Sequence, residues 1–208
     1  MKEKKLLIIG ASGHGKVVGD IALNMKCWSN IAYLDDNKEL QETMNLKVIG
    51  TVGDLIRFIK EYEIIIALGS NPVREKLLVE LKQMQAKIPT LIHPGAMIGA
   101  MTKIGEGTVV MAGAVINCCS TIGKGCIINT GATIDHDCMI DDYVHISPGV
   151  HIAGTVSIGK NSWIGIGSTI KNNIFIASDC IVGAGSVVVK DLVEPATYMG
   201  VPARQVEV

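Results

Sequence analysis

The 208-residue chain is short of aromatic residues, which make up only 4% of it, although rings supply much of the buried area of an ordinary globular core. Something narrow and repetitive must fill the interior instead. An excess of charge is also missing. Lys+Arg 19 against Asp+Glu 20 leaves a formal net charge of -1, which gives no field to gather nucleic acid or an anionic membrane. Long apolar runs are absent too: Leu6 to Ile9 follows a basic start but stops at Gly10, too short for a secretory signal core or a membrane span. A soluble, cytoplasmic chain with no nucleic-acid or membrane partner is expected. The six cysteines, at 27, 118, 119, 126, 138 and 180, form no Cys-x-x-Cys pair and have no His at ligand spacing. This argues against a disulfide framework or a zinc site; no metal is expected, and the thiols read as reduced, buried small residues.

What the chain does have is a period. Every sixth residue from Ile92 to Val188 is Ile or Val, 17 in succession without a slip. A period of six fits neither an amphipathic helix nor an alternating strand. It fits a coil of short flat faces in which each hexad is one side of a triangular prism. Successive coils then stack as parallel strands about 4.8 Å apart, with the branched side chains along the axis. Small or β-branched residues such as Thr108, Ala114, Ser120, Cys126 and Cys138 sit four places after the inward residue. Glycines such as Gly99, Gly105, Gly123, Gly159, Gly165 and Gly183 follow it directly, where a corner is expected. With no loop inserted between coils, chemistry must lie on the coil surface or between subunits.

Ahead of the repeat, Leu6 to Ile9 reads as a buried strand, Gly10 to Lys16 as a turn and Val17 to Met25 as a helix. Ile31 to Leu34 makes a second strand closed by Asp35-Asp36-Asn37. Asp54 to Tyr62 reads as helix, Glu63 to Leu68 as a third strand ending at Gly69, and Pro72 to Gln85 as a further helix. This alternation predicts a small Rossmann-like α/β domain over 1–88 with ligands at the strand C-termini, followed by the coiled domain over 89–208. Gly10 to Lys16 satisfies the first seven positions of a phosphate-binding P-loop, but Val17 takes the Ser/Thr slot that would hold magnesium, so NTP hydrolysis is set aside. The glycine order also departs from the dinucleotide fingerprint. What survives is a glycine turn whose N–H groups, at a helix N-terminus, can meet a phosphate or a sugar hydroxyl.

Gly-Ala-Ser-Gly-His-Gly at 10–15, then Leu-Asp-Asp at 34–36, then hexads, resembles the nucleotide-sugar branch of the hexapeptide-repeat acetyltransferases. That branch includes UDP-4-amino-sugar (bacillosamine-type) N-acetyltransferases and sialic-acid O-acetyltransferase-like proteins. The resemblance implies a left-handed parallel β-helix, acetyl-CoA as co-substrate and a homotrimer with acetyl-CoA between neighbouring prisms. It implies N-acetylation of the 4-amino group of a nucleotide-linked amino sugar, UDP-linked by preference, for surface glycan synthesis. O-acetylation of sialic acid or a related sugar, or a non-catalytic scaffold, are the rival readings. By the same resemblance Ser12, Gly13 and His14 line the sugar-nucleotide pocket, Asp35 and Asp36 face the base or ribose, and Gly69 closes the third strand end.

An amine must lose a proton as it attacks a thioester, and neutral imidazole is suited to take it near pH 7. His136 follows inward Ile134 by two places and so projects from a corner. The resemblance makes it the general base, with Asp137 orienting it where the family has Glu. Asp is one methylene shorter, so Asp135 or a water are alternatives. Gly154 lies one coil, 18 residues, above His136, where its N–H can meet an oxyanion. The resemblance further places Asn129 near the reacting amine, His145, Ile166 and Ala184 at the acetyl-CoA, and Arg204 of Gly200-Val201-Pro202-Ala203-Arg204 near the CoA phosphates.

Overall fold

The structure, a computed structural model, describes residues 3–207. Ahead of the repeat run β1 (Lys5–Ile9), α1 (Gly13–Met25), β2 (Asn30–Leu34), the short antiparallel pair β3 (Glu42–Thr43) and β4 (Leu46–Lys47), β5 (Glu63–Ile66) and α2 (Asn71–Gln83). The strands β2-β1-β5 form a parallel sheet in that order. Leu6, Leu7, Ile8 and Ile9 are all buried because both faces of this sheet are covered. Leu6 and Ile8 pack with Val18 and Ile21 of α1, whereas Leu7 and Ile9 pack with Leu55 and with Leu78 and Leu81 of α2.

Three local expectations change. The first helix begins at Gly13, four residues before Val17, with Ser12 as its N-cap and the Lys16 N–H bonded to Ser12 O at 2.9 Å. The glycine-rich "turn" is thus half helix. Residues 54–62 form no α-helix: a 3₁₀ segment, Val52–Arg57, is held by a capping box between Thr51 and Asp54, and with only Leu55 of that segment buried no apolar face extends it. The β3–β4 pair was not foreseen, since Met44 and Asn45 turn with φ of 52° and 58° without the Asn-Gly signature of such turns.

From Leu91 onward the chain winds as a parallel β-solenoid of two-residue strands on three faces. The first face carries the strands from Leu91–Ile92 to Ile181–Val182, the second those from Met97–Ile98 to Val187–Val188, and the third those from Lys103–Ile104 to Phe175–Ile176. Ile116, Ile134, Ile152 and Ile170 stand in register on the second face. The axial residues are buried from Val110 to Val188, but Ile98 is 38% exposed and Ile92 and Ile104 are only partly covered, because the opening coil has nothing stacked below it. In the slot four places on, Ser120, Ser162 and Ser168 donate to the carbonyls of Asp135, Ala177 and Gly183 at 2.8–2.9 Å. Cys126, Cys138 and Cys180 fill the same slot, buried and donating to carbonyls at 3.1–3.3 Å. The expectation of uniformly buried cysteines fails for Cys27, Cys118 and Cys119, which are free but exposed; 118 and 119 fall at a corner, outside the inward slots.

The corner glycines also act differently from expected. Left-handed backbone recurs at every sixth residue from Met101 to Gly185, three places after the axial residue, and is occupied by Asn161, Asp137 and even Tyr143 as well as by glycine. Gly99, Gly105 and Gly159, directly after the axial residue, have no positive φ; a Cβ there would come within 2.4–2.6 Å of backbone in the next coil. These glycines permit stacking rather than turning.

The α/β unit sits on the lower first face, where Leu91, Val109 and Ile127 join the core beneath α1. No helix among the described residues is long and apolar enough to cross a membrane.

Candidate active site

His136 stands at the corner between the second and third faces, with 53% of its side chain exposed. Its Nδ1 lies 2.8 Å from Asp137 Oδ2, so the shorter carboxylate makes the orienting contact directly. It does so because Asp137 adopts a left-handed conformation, φ 57°, that Asp tolerates and that turns its side chain back on the ring. Asp135 holds the backbone instead: its Oδ1 accepts the His136 N–H at 2.9 Å and the Asn117 side-chain amide at 2.8 Å. The Asp137 hydrogen bond, with the charges of both carboxylates, raises the imidazole above its ordinary value despite some desolvation. With Nδ1 engaged, Nε2 is left as the free nitrogen. It lies over Gly154, where any Cβ would come within 2.6 Å of both Nε2 and Cε1. Ala153 and Thr155 donate their N–H groups to neighbouring coils, but the Gly154 N–H has no partner among the described residues. A ring nitrogen able to accept a proton and an uncommitted amide therefore share one edge of the prism.

A second set of residues lies on the upper first face, above the α/β unit. Asn129, His145, Ser147, Pro148, Trp163, Ile166 and Ala184 line an open, largely apolar cavity of about 440 Å³. His145 is only 8% exposed. Its ring stacks on Trp163 with centroids 5.2 Å apart and planes within 9°, and Trp163 Nε1 donates to Ser147 Oγ at 2.8 Å. Burial, then the charge of Arg74 and the neighbouring His14, push its pKa down to about 3. The ring is therefore neutral, and the Asn129 amide 3.3 Å from Nε2 makes that nitrogen the acceptor, leaving the proton on Nδ1. Nδ1 has no partner among the described residues.

Below this cavity the strand ends of the α/β unit meet the rod. Arg74 is 1% exposed and uses all five N–H donors: Nε to Gly125 O, Nη1 to Leu68 O and Gly69 O, and Nη2 to Asn71 Oδ1 and Tyr143 O, at 2.6–3.1 Å. No carboxylate among the described residues pairs with it, and burial lowers its pKa to about 10. His14 is pushed down to about 4 by burial and by Arg74, and its Nε2 has no partner among the described residues. In the glycine turn, Gly10 (φ 99°) abuts Ala67, and a Cβ on Gly15 would sit 2.1 Å from Gly10 O. Gly13 and Gly69 differ, having neither positive φ nor any atom within 4 Å of an added Cβ. They border open space at the ends of β1 and β5.

The sequence-predicted residues thus fall into three places. His136, Asp137 and Gly154 come together at one corner. Asn129, His145, Ile166 and Ala184 come together on the first face, so Asn129 is beside His145 and, within one chain, a prism width from His136. Ser12, Gly13, His14 and Gly69 meet at the strand ends. Asp35 and Asp36 are engaged in the fold: Asp35 accepts the N–H groups of Ala11 and Asn37 at 2.7 and 2.9 Å, and Asp36 accepts that of Val52 at 3.0 Å. Arg204 is exposed, on a strand (Arg204–Val206) antiparallel to Thr197–Met199 at the top of the first face. Sequence reasoning missed Trp163 and Arg74. An offset of 18 from His145 points to Trp163; nothing local marks Arg74, whose rod partners lie 51 and 69 residues away.

Comparison with known proteins places these features. Residues 5–81 match the PglD N-terminal domain, and residues 101–136 and 119–154 match the bacterial transferase hexapeptide (six repeats). The UDP-N-acetylbacillosamine N-acetyltransferase of Bacillus subtilis (strain 168) is 40% identical over 112 residues, 52% of this chain and about half (51%) of that relative's length. The acetyltransferase domain of PglB from Neisseria gonorrhoeae FA1090 is 38% identical, with 98% of this chain and 100% of that one covered and a TM-score of 0.94; it is also known in complex with acetyl coenzyme A. PerB from Caulobacter crescentus, in complex with CoA and GDP-perosamine, is 34% identical with a TM-score of 0.92 over 98% of this chain and 97% of its own. With the α/β unit, the unbroken hexads and the whole-chain likeness in agreement, the chain belongs to the family of hexapeptide-repeat acetyltransferases that carry a PglD-type N-terminal domain.

Proposed function

We propose that the protein transfers an acetyl group from acetyl-CoA to the 4-amino group of a nucleotide-linked amino sugar, UDP-linked by preference. His136 is the general base. The carrying observation is the corner at which Nδ1 is fixed on Asp137 while Nε2 lies over Gly154. In the reaction the amine nitrogen attacks the thioester carbon, Nε2 takes its proton, and the Gly154 N–H steadies the oxyanion; as the oxyanion collapses the C–S bond breaks, and the departing CoA thiolate takes the proton back from Nε2, leaving the amide, free CoA and a neutral ring. Asp137 holds the ring in the tautomer that leaves Nε2 free and offsets the charge it gains.

The apolar cavity by Trp163, Ile166 and Ala184 suits the pantetheine arm and thioester, with neutral His145 offering Nδ1–H to an acceptor without repelling a leaving thiolate's proton donor. Arg204, at the top of the same face, is the residue for the CoA phosphates. Gly13, Gly69, Ser12 and His14 make the sugar-nucleotide cradle, because open space beside glycines with no structural need for glycine is room for a ligand. Asp35 and Asp36 shape this cradle by fixing its loops. Since the cavity and His136 lie on different sides of one prism, a second copy must bring its His136 corner to the first face of its neighbour; a homotrimer meets this requirement with three equivalent sites. A monomeric mass in light scattering contradicts that arrangement.

The test follows thiol release from acetyl-CoA with a panel of UDP-, GDP- and dTDP-linked 4-amino sugars, with free sialic acid as the O-acetylation arm. Wild type is expected to turn over an amino sugar. His136→Ala should lose a factor on the order of 10²–10⁴ in turnover while keeping its fold. Unchanged turnover in His136→Ala removes that residue from the mechanism.

A further inference from the structure

Cys118 and Cys119 stand side by side at the same corner as His136, both exposed and both without a part in the reaction above. Cys119 follows Cys118 directly, at a corner position with φ 62°; desolvation, then the neighbouring Cys118 thiol and the charge of Asp137, raise its pKa. One full coil, 18 residues, separates them from His136 and Asp137, and the Asp137 N–H donates to Cys118 O at 3.2 Å. The pair therefore lies directly under the dyad at the strand spacing of about 4.8 Å.

The peptide between the two cysteines is held in the ladder on both sides, since the Cys119 N–H also donates to Ala100 O at 3.0 Å. Adjacent Cα atoms are about 3.8 Å apart, below the roughly 4.4 Å at which ordinary disulfide geometry begins. Direct S–S closure would have to twist that fixed peptide. A single atom placed between the two sulfurs lifts the mismatch. No cluster of three or more metal-ligating side chains occurs among the described residues, so the centre must be content with two sulfurs, unlike zinc.

We propose that Cys118 and Cys119 form a capture site for thiophilic electrophiles that bridge two sulfurs through one atom, trivalent arsenicals first among them, and that an occupant screens the His136–Asp137 dyad. With an arsonous acid, RAs(OH)₂, two S–As bonds form, two As–O bonds break, and the thiol protons leave with the oxygens as two waters. No electron is transferred. The screening of catalysis rests on His136 as the base; the capture does not.

The test adds phenylarsine oxide to the full-length protein and reads three quantities: the mass at residues 118–119, the reactivity of His136 toward diethyl pyrocarbonate, and acetyl transfer. One bridged adduct is expected. It should slow His136 modification and lower turnover by a factor on the order of 10², toward the level of a missing base, with recovery by a dithiol but not by a monothiol. Cys118→Ser and Cys119→Ser should keep turnover and lose both adduct and inhibition. An adduct that is absent or not bridged, or a bridged adduct that leaves His136 as reactive as before, overturns the proposal. A bridged adduct that shields His136 in a protein acetylating no amino sugar upholds the capture site and refutes the assigned activity instead.

Discussion

Replacing Arg74 by Met keeps the apolar stem and deletes the guanidinium that joins the α/β unit to the rod. Its five hydrogen bonds end on four backbone carbonyls and one amide oxygen: Leu68 and Gly69 in the α/β unit, Asn71 on α2, and Gly125 and Tyr143 in successive coils. Two terms oppose each other. Holding this cation out of water is costly, as the fall from 12.5 to about 10 records, worth roughly 3 kcal/mol at about 1.4 kcal/mol per unit. Against that relief, up to five buried acceptors lose their donor at about 1–3 kcal/mol each. The difference spans about 2–12 kcal/mol, and a loss of about 3–5 kcal/mol within it, the usual result of removing one member of a buried charged network, is expected. At roughly 2–4 °C per kcal/mol for a chain of this size, the melting temperature should fall by about 10 °C. Trp28 reports the α/β unit and Trp163 the rod, so single-tryptophan variants followed by fluorescence separate the two. The Trp28 transition should move down ahead of the Trp163 transition. Coincident transitions at the wild-type temperature would refute the view that Arg74 fastens the junction. Arg74→Lys, with three donors for five acceptors, should fall between.

Other consequences follow from the site. Asp137 raises the His136 pKa, so the proposal that the neutral ring is the base predicts that kcat/KM falls as pH drops through a midpoint above 6.5; Asp137→Asn should move that midpoint to lower pH, and an unmoved limb in the pH-rate profile contradicts the orienting role. His14 and His145 have folded pKa values of about 4 and about 3 against 6.5 unfolded. Their contribution is therefore complete above pH 6.5 and is lost as pH falls toward about 4 for His14 and about 3 for His145, on the order of 3 and 5 kcal/mol respectively. Denaturant titrations across that range should show a shallower loss in His145→Gln than in wild type. Gly15→Ala should destabilise by several kcal/mol, of order 3, since its Cβ meets Gly10 O. Gly13→Leu, facing open space, should leave the melting temperature nearly unchanged yet raise KM for the nucleotide sugar; an unaffected KM would remove Gly13 from the cradle.

The six-residue period is a one-dimensional signal with a three-dimensional meaning. An Ile or Val at every sixth place from 92 to 188 determines the rod, because a residue's neighbours above and below are always 18 places away. The same offset made Gly154 legible as the partner of His136, and it would have revealed Trp163 against His145. Strand β1 was equally legible, as four consecutive apolar residues can only be satisfied between two covered faces. Tertiary structure decided what no offset encodes. Asp137 reaches His136 because of a left-handed backbone angle. Arg74 is buried because carbonyls from distant coils converge on it. Asn129 and His136 are parted because a triangular section sends neighbouring corners to different sides. Sequence spacing fixes relations along the winding; relations across it depend on how the α/β unit docks and which faces it covers, and these come from packing between residues far apart in the chain.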